Sequence, residues 1–266
     1  MSKLDPSDGD MDLKLIVKKI DKKFFRGVFR KKLHKRRAAK SIFLSPYIMM
    51  IHYDKSRSYL SELFETYGSD KGSNLTTPHA ETGWPPHTYA DLYELLFDHC
   101  RFSMNNILEC GIGTNNTSVA SNMGSRGRPG ASLRAWRDYF PNANIVGLDV
   151  DPTSLFVEER ITTYQVDQLS RESITEFWSG LHQKEFDVII DDGLHTFKAG
   201  KSLFENSFEH LKAGGLYIIE DIRPVDKSLF TNWLQSLEVS HQLVELFRPD
   251  TELLDNSMFI IRKSLA

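Results

Sequence analysis

Four acidic residues close two short apolar runs, and their type and spacing are suited to chemistry. In FDVIIDDGLH (186–195), Val188-Ile189-Ile190 stops at Asp191-Asp192; in GGLYIIEDI (214–222), Tyr217-Ile218-Ile219 stops at Glu220-Asp221. Continuous apolar runs of this length read as buried parallel strands. The C-terminal ends of such strands are where open α/β sheets bind ligands. Asp192 and Asp221 lie 29 residues apart, about the length of one βαβ unit. The two acidic ends are therefore expected at one sheet edge. Carboxylates that close repel unless a cation or a proton joins them, which points to a divalent metal or an acid/base site.

A second constellation lies upstream. The apolar NILEC (106–110) runs into Glu109-Cys110-Gly111-Ile112-Gly113-Thr114, a glycine turn that lets backbone approach a ligand closely. The pattern is E-x-G-x-G and not the dinucleotide G-x-G-x-x-G, which disfavours a nicotinamide-dependent oxidoreductase. Asp149 ends the next strand, where an acidic group typically holds ribose hydroxyls. Asp167 and Gln168 end the one after, in reach of an adenine edge. Successive strand ends thus offer contacts arranged for a nucleoside.

The elements that must position these groups follow from periodicity. Strands are expected at 106–110, 143–151, 160–168, 186–191 and 215–221, with a final antiparallel pair at LVELFR and SMFIIRK. Helical spacing runs through 57–67, 88–100 (Leu92, Leu95, Leu96 and Phe97 inward), 131–140, 172–181 and near 226–237. A helix from Phe197 is expected to close on Ala213-Gly214-Gly215 as a glycine C-cap. Alternation of strand and helix means an α/β fold with a doubly wound, mostly parallel sheet. Two segments interrupt it: a Gly/Pro/Ser/Thr-rich loop at 68–87, of a length usually functional or mobile, and an Asn/Ser/Gly-rich insertion at 115–130.

The chain has 266 residues, 40% hydrophobic and 26% charged, ordinary for a protein with a sizeable core. Two cysteines, Cys100 and Cys110, make no disulfide framework and fit a reducing compartment. No run approaches the roughly 18 apolar residues of a membrane span, so the expected location is cytoplasmic. The net charge of −3 is uneven: residues 1–40 hold 14 Lys/Arg against 5 Asp/Glu, the remainder 19 against 31. Leu15, Ile16, Ile20, Phe24, Phe25 and Phe29 interleave with the basic residues. Two readings stand: a basic amphipathic helix (14–40) lying on an anionic membrane face, or a helix packing its Phe face on the body or on a second subunit in a homo-oligomer. Nucleic acid is not expected, because the body is acidic and no reading motif appears. SIFLSPYIMMIHY (41–53) is broken by Pro46 and reads as a docking strap or dimer contact.

Together, E-C-G-I-G, G-L-D-V-D, V-D-Q, I-I-D-D-G-L-H and G-G-L-Y-I-I-E-D resemble the class I S-adenosylmethionine-dependent methyltransferases, and among them the metal-dependent macrocin- and mycinamicin-type sugar O-methyltransferases. The resemblance covers roughly 60–266; Ser69-Asp70-Lys71-Gly72 with His87 and Tyr89 also resembles an N-terminal motif of related bacterial proteins. It implies a seven-stranded Rossmann-like sheet in a domain over 58–266; the loop at 68–87 is expected to close as a lid, and residues 1–57, which have no counterpart in the resemblance, to form a basic amphipathic N-terminal extension. It places Glu109, Gly111, Gly113, Asp149, Asp167, Gln168 and Lys71 on the S-adenosylmethionine side. Asp192, Glu220 and Asp221 fall on the ligand positions for Mg2+ or another divalent cation, and His195, with Asp192, on the catalytic positions as general base. An oxygen-only ligand set agrees with a hard cation, and histidine titrates in the right range for a base. Strand alternation turns Asp191 away from Asp192, so Asp191 is left outside the metal set. The same alternation requires the chain to leave regular β geometry at Glu220-Asp221. His87, Tyr89 and Trp84 are expected on the acceptor, Trp84 stacking on a sugar. The implied activity is O-methylation of a sugar hydroxyl on a glycoside or cell-surface glycan. A small phenolic or natural-product acceptor is the alternative within the class, and a non-catalytic scaffold the alternative outside it.

Overall fold

Consecutive residues of the central strands feed opposite apolar layers, which is what a sheet covered on both faces requires. The computed structural model describes residues 58–72, 85–183, 185–247 and 253–265, and 47–51 by backbone alone. Pro46–Ala266 form one compact unit. Its sheet comprises β1 (Tyr47–Ile51), β2 (Asn106–Cys110), β3 (Asn144–Asp149), β4 (Val157–Glu158), β5 (Ile161–Gln165), β6 (Phe186–Asp191), β7 (Leu211–Ile219), β8 (Ser240–Phe247) and β9 (Ser257–Arg262). The order is β1-β8-β9-β7-β6-β2-β3-β5-β4. Pairing is parallel from β5 through β3, β2 and β6 to β7, and antiparallel where β9 enters between β7 and β8. The expected seven strands are joined by two at the edges. The two-residue β4 pairs with β5. The other is β1, read from sequence as a strap, which pairs in parallel with β8.

Ile107, Ile145, Val188, Ile190 and Ile218 face one layer, made by α1 (Tyr59–Tyr67), α2 (Tyr89–Phe97) and α3 (Ala131–Tyr139). Leu108, Val146, Ile189, Tyr217 and Ile219 face the other, made by α4 (Arg171–Gly180), α5 (Phe197–Ser207) and α6 (Lys227–Ser236). Two details depart from expectation. Leu95 of α2 is exposed, so the inward face is carried by Leu92, Tyr93, Leu96 and Phe97. The helix after Phe197 ends at Ser207, and Gly214 is no C-cap: with φ 77° it lies in β7, where pairing with β6 shifts register between Phe186 and Val188.

Side-chain caps fix the loops that enter the helices. Ser170 accepts from Ser173 N at the start of α4, and Thr196, next to His195, accepts from Ala199 N at the start of α5. The basic segment 14–40 and Trp84 lie outside the described residues. Among the described residues no helix is long and apolar enough to cross a membrane.

Candidate active site

The chain runs outward from β2 through β3 to β5 and returns at β6, so the sheet switches direction between β2 and β6. Ligands of open α/β sheets bind outside the strand ends at such a switch, and a cleft of about 930 Å3 opens there. Its two walls are built differently.

The first wall is the glycine turn after β2. Gly111 and Gly113 adopt φ of 91° and 83°. A Cβ at Gly111 would fall 2.0 Å from the Asp192 carbonyl oxygen, so only glycine lets the ends of β2 and β6 come this close. Asp149 fastens the turn, accepting from Ile112 N at 3.1 Å and from Asp151 N at 2.9 Å. Burial raises its pKa against those donors. Asp167 and Gln168 lie in the loop beyond β5 rather than in the strand. Asp167 is exposed and accepts from Leu169 N at 2.8 Å. The Gln168 amide is engaged away from an adenine edge: Nε2 donates to Asp191 Oδ1 at 2.5 Å and Oε1 accepts from Leu194 N at 3.0 Å. Gly193 N also donates to Asp191 Oδ1, at 3.3 Å. Asp191 does stand apart from Asp192, and with Gln168 it braces the loop that carries Asp192 and His195. Burial pushes its pKa up to about 6.

The second wall is the acidic ends of β6 and β7. Asp221 takes φ 52°, so the chain leaves β geometry there and both Glu220 and Asp221 reach the cleft. His195 is also in the left-handed region, at φ 54°; such residues cost energy unless their surroundings fix them, and they cluster at functional sites. Ligand atoms of Asp192, His195 and Asp221 lie within 4.8 Å of one another. His195 Nδ1 is 3.0 Å from Asp221 Oδ2, His87 Nε2 is 3.5 Å from Asp221 Oδ1, and the Tyr89 hydroxyl donates to the same oxygen. Burial disfavours the imidazolium at His195, but Asp221 and then Asp192 outweigh it and push the pKa up to about 9. Asp221 is itself half-buried, yet His87 and His195 hold its carboxyl far below the usual range.

Glu220 turns away from this trio. Its Oε1 accepts from the Tyr93 hydroxyl and its Oε2 from Lys71. The Lys71 ammonium also lies 2.6 Å from Asp192 Oδ2 and 3.4 Å from Glu109 Oε1. Lys71 thus sits among carboxylates, and Glu109, expected on the cofactor, lies beneath the cleft and not on its wall, its Oε2 accepting from Trp136 Nε1 at 2.8 Å. The trio that assembles is Asp192, Asp221 and His195, with Glu220 beside it. The donors still fit a hard divalent cation: each Glu220 oxygen keeps a second lone pair, and Asp192 and Asp221 face the cleft.

No protein-family model matches the chain. It is similar to the demethylmacrocin O-methyltransferase of Streptomyces fradiae, 32% identical over 151 residues, which are 56% of this chain and 36% of that protein. It is similar also to the mycinamicin VI 2''-O-methyltransferase of Micromonospora griseorubida, 33% identical over 136 residues, 51% of this chain and 32% of that protein. The chain spans about a third of the length of these curated relatives. Its structure superposes on the MycE methyltransferase of the mycinamycin biosynthetic pathway, solved with Mg, SAH and mycinamycin VI, with a TM-score of 0.58 and 25% identity over 78% of this chain and 55% of that one. This chain has the class I methyltransferase fold. An O-methyltransferase from Bacillus cereus, solved with SAH, shares the fold at a TM-score of 0.51 and 14% identity over 79% of this chain and 93% of that one.

On this methyltransferase fold, three residues at the site were not found from sequence. Tyr93 reads as part of the apolar face of α2, and periodicity gives no sign that its hydroxyl serves Glu220. Asp70 and Asp255 flank His87, at 3.7 Å from Nδ1 and 3.8 Å from Nε2. Asp70 lies in the S-D-K-G motif and was within reach of the sequence reading; nothing local distinguishes Asp255.

Proposed function

We propose that the protein transfers the methyl group of S-adenosylmethionine to a hydroxyl of a sugar-bearing small molecule or glycan, with a divalent cation and with His195 as base. The observation that carries this reading is the Asp192–His195–Asp221 cluster, set across one cleft from the glycine turn at the sheet's switch point. The name of a further relative, the 8-demethyl-8-alpha-L-rhamnosyl tetracenomycin-C 2'-O-methyltransferase of Streptomyces olivaceus, supports the acceptor class. A volume at the upper end of small-molecule pockets, roughly 300–1,000 Å3, leaves room for cofactor and acceptor together.

In this reading Gly111 and Gly113 let the backbone approach the cofactor, Asp149 meets the ribose, and His87 and Tyr89 border the acceptor. Asp192, Glu220 and Asp221 hold the cation. In line with the sulfonium, the acceptor oxygen forms a C–O bond as the S–CH3 bond breaks, leaving S-adenosylhomocysteine. The hydroxyl proton passes to His195, whose Nδ1 is held by Asp221 and whose Nε2 is the accepting nitrogen. A charged imidazole accepts no proton, and within the chain alone Asp221 and Asp192 keep it charged. Committing those carboxylates to a divalent cation withdraws the charge that raises its pKa, and the cation acidifies the hydroxyl it meets.

The test is transfer of labelled methyl from S-adenosylmethionine to nucleotide sugars, glycolipids, polysaccharides and macrolide glycosides, with Mg2+ or with EDTA. Metal-dependent labelling of a sugar hydroxyl is expected. Labelling that EDTA leaves unchanged sinks the metal chemistry, and labelling confined to phenols sinks the acceptor class.

A further inference from the structure

Lys71 is a buried cation inside a carboxylate cluster. Its side chain is 3% exposed, against Asp192 Oδ2 at 2.6 Å, Glu109 Oε1 at 3.4 Å and Glu220 Oε2. An ammonium out of water is costly unless paired. Pairing is mutual here: Glu109 Oε1 is buried and accepts no hydrogen bond, so the ion contact with Lys71 is what balances it. The backbone pins the lysine in place. Its carbonyl accepts from Ala90 N at 2.9 Å and its N–H donates to Ser69 Oγ at 3.3 Å, tying the loop to the start of α2.

Glu109, Asp192, Glu220 and Asp221 would carry four negative charges when ionised. Two-metal sites hold a pair of divalent ions about 3.5–4 Å apart, close enough for one carboxylate to reach both. Asp192 is the shared member in this geometry, since it meets Lys71 on one side and belongs with Asp221 and His195 on the other. We propose, on the metal-dependent reading above, that Lys71 is the resident cation of the inner half of this cluster and thereby limits the cleft to one divalent ion. The ammonium offers charge but no coordination place for a substrate oxygen. The inner half therefore orders Glu109 and fixes Glu220, whose remaining lone pairs stay with the single divalent ion, and only the outer half, at Asp221, meets the acceptor.

Counting Mn2+ on the full chain by electron paramagnetic resonance, without cofactor, tests this. Wild type and Lys71→Arg should bind one ion. Lys71→Met should bind a second, or hold the one about tenfold more tightly or better, because a nearby positive charge has gone. A Lys71→Met protein that binds a single Mn2+ no more tightly than wild type overturns the inference. Should wild type bind none while Lys71→Met binds one, the metal-dependent reading falls and the resident cation stands; if neither binds, both fall. Where Lys71→Met does not fold, Lys71→Gln, which removes the charge and keeps a polar side chain, is counted for the same gain or its absence.

Discussion

The two walls of the cleft use their acidic residues in opposite ways. On the β2–β3–β5 side, Asp149 and Asp167 accept backbone N–H groups, so their charge is absorbed in holding loops to shape. On the β6–β7 side, Asp192, Glu220 and Asp221 meet other titratable side chains: Lys71, His195, His87, Tyr89 and Tyr93. Backbone donors cannot move a proton at neutral pH, whereas imidazoles can. On the proposed function, the first wall holds a ligand and the second reacts with one. Gln168 joins the two, standing on the first wall while bracing the loop of the second.

If the walls are separate, a change in one should leave the other working. The largest effect is expected from Asp192→Asn, which removes a ligand charge from the reactive wall: turnover should fall on the order of a thousandfold or more. S-adenosylhomocysteine affinity, measured calorimetrically, should stay within about threefold. A parallel collapse of both would show that the walls are one unit. His195→Gln should lower kcat by about 10²–10⁴ and erase the acid limb of the pH–rate profile, again with cofactor affinity held. Unchanged kcat would assign the base elsewhere.

The same division explains what sequence could and could not disclose. Apolar runs located every central strand, and Asp149, Asp192, Glu220 and Asp221 at their ends fell at the cleft because strand ends converge by topology. Asp191 and Asp192 separated as β alternation requires, and Asp221 left β geometry where the resemblance demanded it. What escaped was side-chain pairing across long separations. Gln168 and Asp191 are 23 residues apart, and Lys71 and Glu220 are 149 apart. No local pattern records such contacts, so the brace that Gln168 gives Asp191 and the Lys71 partner of Glu220 went unseen. Gly214 misled for a related reason: a glycine after a helix signals a cap, but here the β6–β7 register needed it.

Gln168→Leu sharpens the comparison at the residue that bridges the walls. Removing the amide frees Asp191 and the 192–195 loop, so kcat should fall by about tenfold while S-adenosylhomocysteine affinity changes by less than about threefold. Asp191→Asn, which keeps the shape and one oxygen acceptor, should be milder. The reverse outcome, weaker cofactor binding with kcat intact at saturation, would return Gln168 to the first wall as a nucleoside contact.

The smallest effect is one of stability. Folding raises the His195 pKa from 6.5 to about 9, so the native state favours the protonated ring. Its contribution is complete below 6.5 and disappears as the pH rises through about 9, and a shift of that size is worth about 3 kcal/mol at most. In metal-free protein, Tm should therefore decline by several degrees between about pH 7 and about 10, and His195→Gln should flatten part of that decline. Saturating Mg2+ should flatten it too, since it occupies the carboxylates that hold the imidazolium. His87, raised by the same Asp221, would sustain whatever slope remains. A slope unchanged in His195→Gln would place the titrating charge on the other perturbed groups of the site, His87 first among them. The electrostatic weight of the reactive wall would then lie at its rim, beside Asp70 and Asp255, and not at the proposed base.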